Sequence, residues 1–450
     1  MNVVQAPPVG VPVLGILPDV LLGQTLQTFN DAQRRSNGLF RLMIGPQEIY
    51  VVTDPDYAQH VLQSNARNYV KGWAYKALRD WSLGNGLLTS DGDFWLKQRR
   101  LMQPHFHQNQ LAYLNDTMVA VIDDMCAEWE EVARTGETID IGQEMGRLTM
   151  QIMTQTVFGN DILTKAEAEG VMEAVSVLAR GVMLRLFLGF VPPWLSLPGD
   201  AQLRRMREVI AQTVRKVIRE EERRGESNTV IGMLMSATYD ESDERMSEQQ
   251  LLDEAITLFL AGFETTSNAL TFTFYYLHHH PGVRLKVLAE LQAQLGDRSP
   301  TVADLRNLTY TRMVLNEAMR IAPPAAAVPR AVVAADEIDG YQIPANALLW
   351  VYIYGLHHHP AHWDKPDVFD PERFSPEASE GRHRFAYIPF LSGARQCIGK
   401  DFALMEAMLA LSIVLRRYDL ALEPDQEIKP QLHVTTQPSG PVSARIRRLR

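Results

Sequence analysis

Cysteine is almost absent from this sequence: 450 residues hold two, Cys126 and Cys397. A disulfide framework, a structural zinc site and an iron–sulfur cluster each need several organised cysteines, so none of them is the design, and a reducing, cytoplasmic setting is expected. A basic surplus is missing too. The chain carries 44 Lys and Arg against 54 Asp and Glu, a net charge of −10, which argues against a nucleic-acid partner. Neither a GxGxxG fingerprint nor a P-loop occurs. The N-terminal stretch 1–24 lacks a basic region, and its prolines interrupt any long apolar helix. Neither a signal peptide nor a transmembrane anchor is therefore expected. Two histidine runs, His278-His279-His280 and His357-His358-His359, have no carboxylate-rich partner motif nearby. Consecutive side chains on one element also diverge in direction, so a metal site is not read there.

What the sequence does have is apolar bulk: 46% of its residues are hydrophobic, enough for a large core. Periodicity and caps predict a mainly α chain with a small β-rich region. Helices are expected at 24–35, from Pro55, and after the loop 84–95, where Ser90 or Asp91 is placed to cap. More follow at 111–135, 145–158, 165–180, 201–224, 247–278, 281–295, 301–305 and 308–320. The β-rich part is expected at about 39–54, 325–354 and 430–447. It includes a hairpin of 39–44 with 48–52, strands 331–334 and 348–354, and a C-terminal hairpin of 433–437 with 442–446 around Ser439-Gly440. The basic end 445–450 reads as a solvated tail. Cys126 falls on a helix and is expected to be buried and inert. Residues 184–195 are unusually apolar for a connection and read equally as a packed loop or as a mobile lid.

Several clusters carry chemistry. Ser247-Glu248-Gln249-Gln250 fits a capping box that opens a helix long enough to cross the whole fold. Between Ala255 and Leu277 its one charged side chain is Glu264. The polar group Glu264-Thr265-Thr266-Ser267-Asn268 interrupts an apolar run, and polar groups in such a place are costly unless they face a site. Gly262 leaves room beside the backbone, and Thr265 can bond back to an upstream carbonyl or turn toward a ligand. Trp95 and Arg99 stand at i,i+4 and share a helix face, a sensible clamp for a carboxylate. Glu317 and Arg320, at i,i+3, read alone as an exposed pair worth little. Cys397 closes the pattern Phe390-x-x-Gly393-x-Arg395-x-Cys397-x-Gly399 before an apolar helix face. Backbone N–H groups at a helix start lower a thiol's pKa, and the two glycines let backbone approach the sulfur. By itself Cys397 reads better as a small buried residue, the commonest fate of a free cysteine.

The pattern as a whole resembles the haem-binding signature of the cytochromes P450. Other stretches resemble that family in its order: Trp95-x-x-x-Arg99, Ala261-Gly262-Phe263-Glu264-Thr265-Thr266, Glu317-x-x-Arg320 and Pro371-Glu372-Arg373-Phe374. The resemblance runs from about Leu39 to Arg447 and implies one P450 domain over 1–450, with the haem between the long central helix and the helix after Cys397. It implies haem b as cofactor, with Cys397 as axial ligand of the iron and Phe390, Gly393, Arg395 and Gly399 shaping the loop around it. Trp95, Arg99 and Arg330 would hold propionates. Ala261 and Gly262 would border the O2 site, Glu264 would feed protons, and Thr265 would support O–O cleavage. Glu317, Arg320 and Arg373 would form a buried structural network. Leu88, Phe263, Ala325, Ala326 and Val434 would wall the substrate pocket.

The activity implied is a monooxygenase acting on a lipophilic substrate such as a fatty acid or terpenoid. The chain stops soon after the last hairpin, so electrons are expected from a separate ferredoxin or flavodoxin with its reductase, docking near Lys97, Arg100, Arg395 and Lys400. A peroxygenase or isomerase of the same fold, and a haem-based sensor or carrier, are the other readings; neither needs the Glu264-Thr265 pair.

Overall fold

Ser247 starts the element on which the rest is hung. Its hydroxyl accepts the Gln250 N–H at 3.2 Å, and the helix Glu248–His279 then runs for 32 residues until the next helix begins at Pro281. At about 1.5 Å per residue it spans roughly 48 Å. The expected capping box is only half made: the Gln250 amide donates instead to Glu254 (2.7 Å) and to the Asn85 carbonyl (3.3 Å). The computed structural model describes residues 15–44, 47–106, 111–159, 164–187, 197–225, 229–239 and 243–449.

Helices Ile141–Met153, Asp200–Arg224, Thr309–Ile321 and Lys400–Arg417 pack against this central helix. Apolar residues at helical spacing explain the packing: Ile141, Met145, Leu148 and Ile152 are all fully buried, as are Met408, Leu411 and Leu415 to within 3%. Cys126, on the helix Asn115–Thr135, is buried among them, and burial pushes its thiol up to about 11, in keeping with an inert residue.

The β part sits to one side. Leu39–Ile44 pairs antiparallel with Gln47–Val52, which runs parallel to Leu348–Val351; Val328–Val332 and Tyr69–Val70 complete a five-stranded sheet. The expected strand 348–354 stops early, because Ile353–His357 turns into a short helix. The expected helix 301–305 is only a turn, Asp304–Arg306. The helix Lys165–Phe187 runs past its expected end and takes in the start of the apolar stretch 184–195; the lid reading of 188–195 lies outside the described residues.

The C-terminus departs most from expectation. Thr436–Pro438 pairs with Pro430–Leu432, so residues 433–435 form the turn, and Ser439-Gly440 does not. Ser443–Arg448 is a strand between Thr138–Asp140 and Tyr418–Leu422. Its arginines are therefore no free tail: Arg445 meets Glu423 and Arg448 meets Glu130 at 2.8 and 2.7 Å. Strand partners this distant in sequence are chosen by packing and leave no local signal. Among the described residues no helix is long and apolar enough to cross a membrane.

Candidate active site

A cavity of about 390 Å³ lies inside the molecule, between the middle of the central helix and the loop 390–399. Its wall is mostly aliphatic. Ala261, Gly262, Glu264, Thr265 and Thr266 face it from one side, and Phe390, Arg395, Cys397 and Gly399 from the other. Ala261 and Cys397 are accessible although they sit in the interior, because both open onto this space.

The cysteine loop is held by its backbone. The Cys397 N–H donates to the Phe390 carbonyl at 2.9 Å, and Gly393–Arg395 makes one tight turn. Gly393 has φ +72° and lies directly on the Leu62 carbonyl, 2.4 Å from where a Cβ would stand. Gly393 thus admits a neighbouring chain and does not itself line the cavity. At Gly399 it is the N–H that matters: it bonds toward the sulfur, just before the helix Lys400–Arg417. Burial nevertheless pushes the Cys397 thiol up, with the Gly399 N–H, Arg99 and Lys400 pulling it down only in part. The lowered pKa expected from the helix start is outweighed by desolvation.

Next to the loop is a cluster of cations. The Arg395 guanidinium stacks on the Trp95 ring at 3.6 Å and pairs with Asp91. Asp91 begins the helix Gly92–Met102 but does not cap it; its carboxylate takes the Gly72 N–H (2.7 Å) and Arg395 instead. Arg99 donates to the Gln396 carbonyl at 2.9 Å, bracing the cysteine loop. Arg330 is buried, bonded to the Pro329 carbonyl at 2.8 Å; it belongs to the cluster without lining the cavity. Lys71 completes the group and was not anticipated. Its ammonium is buried over the Tyr75 ring, donates to the carbonyls of Leu87 and Leu88, and is driven well below its ordinary pKa by burial and by Arg395 and Arg330. A buried lysine beside two arginines is the signal, and it appears only once the chain is folded.

On the opposite side the Thr265 hydroxyl donates back to the Ala261 carbonyl at 2.8 Å. Glu264 accepts from Thr435 (2.7 Å) and Gln437 (2.6 Å), and its carboxyl is raised by burial and lowered by those two bonds. The space freed by Gly262 is taken by Met153, whose Cε and Sδ lie 2.5 and 2.6 Å from a built Cβ. The room expected there for a small ligand is thus used in packing. Leu88, Ala325 and Val434 line the cavity as expected; Phe263 and Ala326 do not. Phe263 is buried on the far side, packed on Phe259, with its carbonyl taking the Thr149 hydroxyl. Ala326 is buried with the aromatic cluster under the sheet. Both follow from helix and strand direction, which sequence position alone leaves open.

Beyond the loop, Arg320 holds Glu317 through two bonds, of 2.7 and 2.9 Å, with both side chains fully buried, and Arg373 stands 3.4 Å from the same carboxylate. Arg320 also donates to the carbonyls of His357 and Val368, and the His357 ring accepts the Ile388 N–H (3.0 Å) just ahead of the cysteine loop. His357 is thus a core residue. Among the described residues no group of His, Cys, Asp and Glu is arranged to hold a metal ion.

A thiol facing a large apolar cavity, with clustered buried cations at its edge, decides the comparison. Residues 5–444 match the family model described as Cytochrome P450. This chain is a cytochrome P450. It is 33% identical over 407 residues to cyclooctatin synthase of Streptomyces melanosporofaciens, covering 89% of this chain and 87% of that protein. It is 31% identical to the chloroplastic protein LUTEIN DEFICIENT 5 of Arabidopsis thaliana, covering 89% of this chain and 69% of that protein. The structure superposes on the cytochrome P450DA heme domain with a TM-score of 0.89 at 29% identity, covering 100% and 98% of the two chains. P450s are oxygenases with haem b as cofactor, and use O2, electrons from a redox partner and lipophilic substrates. The residues present fit that group: Lys71, Arg99, Arg330 and Arg395 outnumber the one carboxylate, Asp91, paired with them among the described residues, and a P450 haem brings two more.

Proposed function

We propose that this P450 is a monooxygenase of a neutral, terpenoid-like hydrocarbon, with Cys397 as iron ligand and the chain acting as one P450 domain. The observation that carries the substrate class is the wall of the cavity. Its lysine and arginine residues are Lys71, Arg99 and Arg395, all in the cluster beside the cysteine loop. Among the described residues the opposite side offers no such cation to a fatty-acid carboxylate, and leaving a carboxylate unpaired there is costly. Cyclooctatin synthase and a pentalenene oxygenase of Streptomyces avermitilis, 30% identical, are relatives whose names fit this class.

When bound, the haem supplies oxygen activation at iron. The protein's part is to hold and shield. Trp95, Arg99, Arg395 and Lys71 would take the propionates, with Arg395 fixed by Trp95 and Asp91 and Arg330 adding its charge from behind the wall. Leu88, Ala325 and Val434 exclude water and orient the substrate by apolar contact. Glu264, its carboxyl raised by burial and anchored by Thr435 and Gln437, would hold a proton next to Thr265, whose hydroxyl is aligned by the Ala261 carbonyl. Glu317, Arg320 and Arg373 keep the cysteine loop's foundation in place. A ferredoxin or flavodoxin is the proposed electron donor, docking near Arg100 and Lys400, and near Lys97, which is exposed but already pairs with Glu244. Arg395 is withdrawn from that set, because it faces the cavity and is paired with Asp91.

Two experiments test the reading. The reduced CO complex should give the Soret band of haem-thiolate proteins, and Cys397→Ser should abolish it with all turnover. Titration with terpene hydrocarbons and with fatty acids, followed by displacement of iron-bound water in the Soret region, should give shifts with the first set. Shifts confined to the fatty acids would overturn the substrate class.

A further inference from the structure

One wall of the cavity is hung between two buried ionisable groups, Lys71 of the propionate cluster and Glu254, which has no part in the proposed chemistry. The loop 84–90 follows a π-helical turn and lies flat on the central helix. Gly84, at φ +66°, has no room for a side chain: a Cβ would meet Asp253 Oδ1 at 2.2 Å, and at Gly86 it would meet Thr257 Oγ1 at 2.1 Å. The helix grips the loop through carboxylates. The Asn85 N–H donates to Asp253 at 2.8 Å, and the Leu87 N–H donates to Glu254 at 2.7 Å. Glu254 is fully buried, and its other oxygen takes the Gln250 amide at 2.7 Å. From the opposite direction the Lys71 ammonium donates to the carbonyls of Leu87 and Leu88. Both leucines line the cavity.

We propose that Glu254 and Lys71 are positioning residues that fix the Leu87–Leu88 wall, so that the fit of a bulky ligand is set by a carboxylate on one side of this loop and by a cation of the propionate cluster on the other. The proposal rests on the P450 reading of the cavity and deepens it. A carboxylate accepts hydrogen bonds more strongly than a neutral acid. Burial raises Glu254 to about 7, against the pull of the Leu87 N–H and Gln250; the charged groups facing it are Asp253 on its own helix and Lys71 across the loop. The grip on Leu87 is therefore firmest above neutral pH and slackens below it.

The test uses the ferrous holoprotein and two alkyl isocyanides, ethyl and cyclohexyl, which bind haem iron and carry no titratable group. The ratio of their affinities cancels effects on the iron and reads the wall. In the parent protein, preference for the cyclohexyl compound should fall about fivefold as pH drops through 7, the size expected for weakening one charge-assisted bond. In Glu254→Gln it should be flat and equal to the parent's low-pH value. Hydrogen exchange at pH 8 should also quicken in the peptide covering 84–90 of Glu254→Gln, with the helix 400–417 unchanged. A parent ratio that does not move with pH, or equal exchange of 84–90 in both proteins, overturns the positioning role. Absence of isocyanide binding in either protein would instead overturn the P450 reading on which it rests.

Discussion

The two faces of the cavity are built by different means. On the cysteine side, a ten-residue loop places the thiol through its own backbone bond from Cys397 to Phe390, and distant segments only support it, the Leu62 carbonyl under Gly393 and Arg99 on the Gln396 carbonyl. On the opposite side, geometry is assembled at long range. Glu264 is fastened by residues 171 and 173 positions away, and Leu87 by one 167 positions away. A local motif survives changes elsewhere in the chain, whereas a wall assembled from distant parts can be retuned one bond at a time.

That contrast can be broken or sharpened by substitution. The largest effect on stability is expected at the foundation of the cysteine side. Glu317→Gln removes the charge from a fully buried carboxylate bonded to Arg320, so thermal or denaturant unfolding should show a loss of about 3–5 kcal/mol. A smaller loss would mean that the cysteine side is less dependent on this network than its burial implies. Next is Thr265→Ala on the opposite side. It should leave the fold and the CO band intact yet divert electrons to hydrogen peroxide, lowering product per electron about tenfold or more. An unchanged ratio would favour a peroxygenase or a carrier.

Gly262→Ala comes third, because a Cβ there overlaps the flexible end of Met153. A cost of about 1–2 kcal/mol in unfolding experiments is expected, and in a double-mutant cycle with Met153→Ala the added cost of Gly262→Ala should disappear. The smallest effect belongs to Thr435→Val. Removing one of the two bonds that pull the Glu264 carboxyl down lets burial raise it further. The pH above which coupling declines should then move upward, with little change in stability. A downward move would mean that Glu264 is not the proton-holding group.

Legibility in the sequence follows the same division. The long helix with its Ser247 cap could be read because its spacing carries its own physics, whereas the cysteine loop and the Glu317–Arg320 pair could be read only through the family resemblance. Phe263 and Ala326 neighbour lining residues without lining the cavity themselves: a rotation of about 100° per residue turns Phe263 away on its helix, and Ala326, in extended backbone between Ala325 and Ala327, points the other way. Lys71 and Glu254 could not be found at all. Each is one charged residue among many, and becomes unusual only when folding strips its water.

The sequence by itself determined the chemistry: a single reactive thiolate candidate, an acid and a threonine in mid-helix, and the family to which they belong. Tertiary structure alone decided the partners, namely that Arg395 lies on Trp95 and not on the surface, that Met153 fills the notch at Gly262, that the last strand pairs with Tyr418–Leu422, and that Glu254 and Lys71 hold the wall. The physical reason is that a motif encodes which atoms can react, while burial and hydrogen-bond partners depend on segments that meet only in the folded chain.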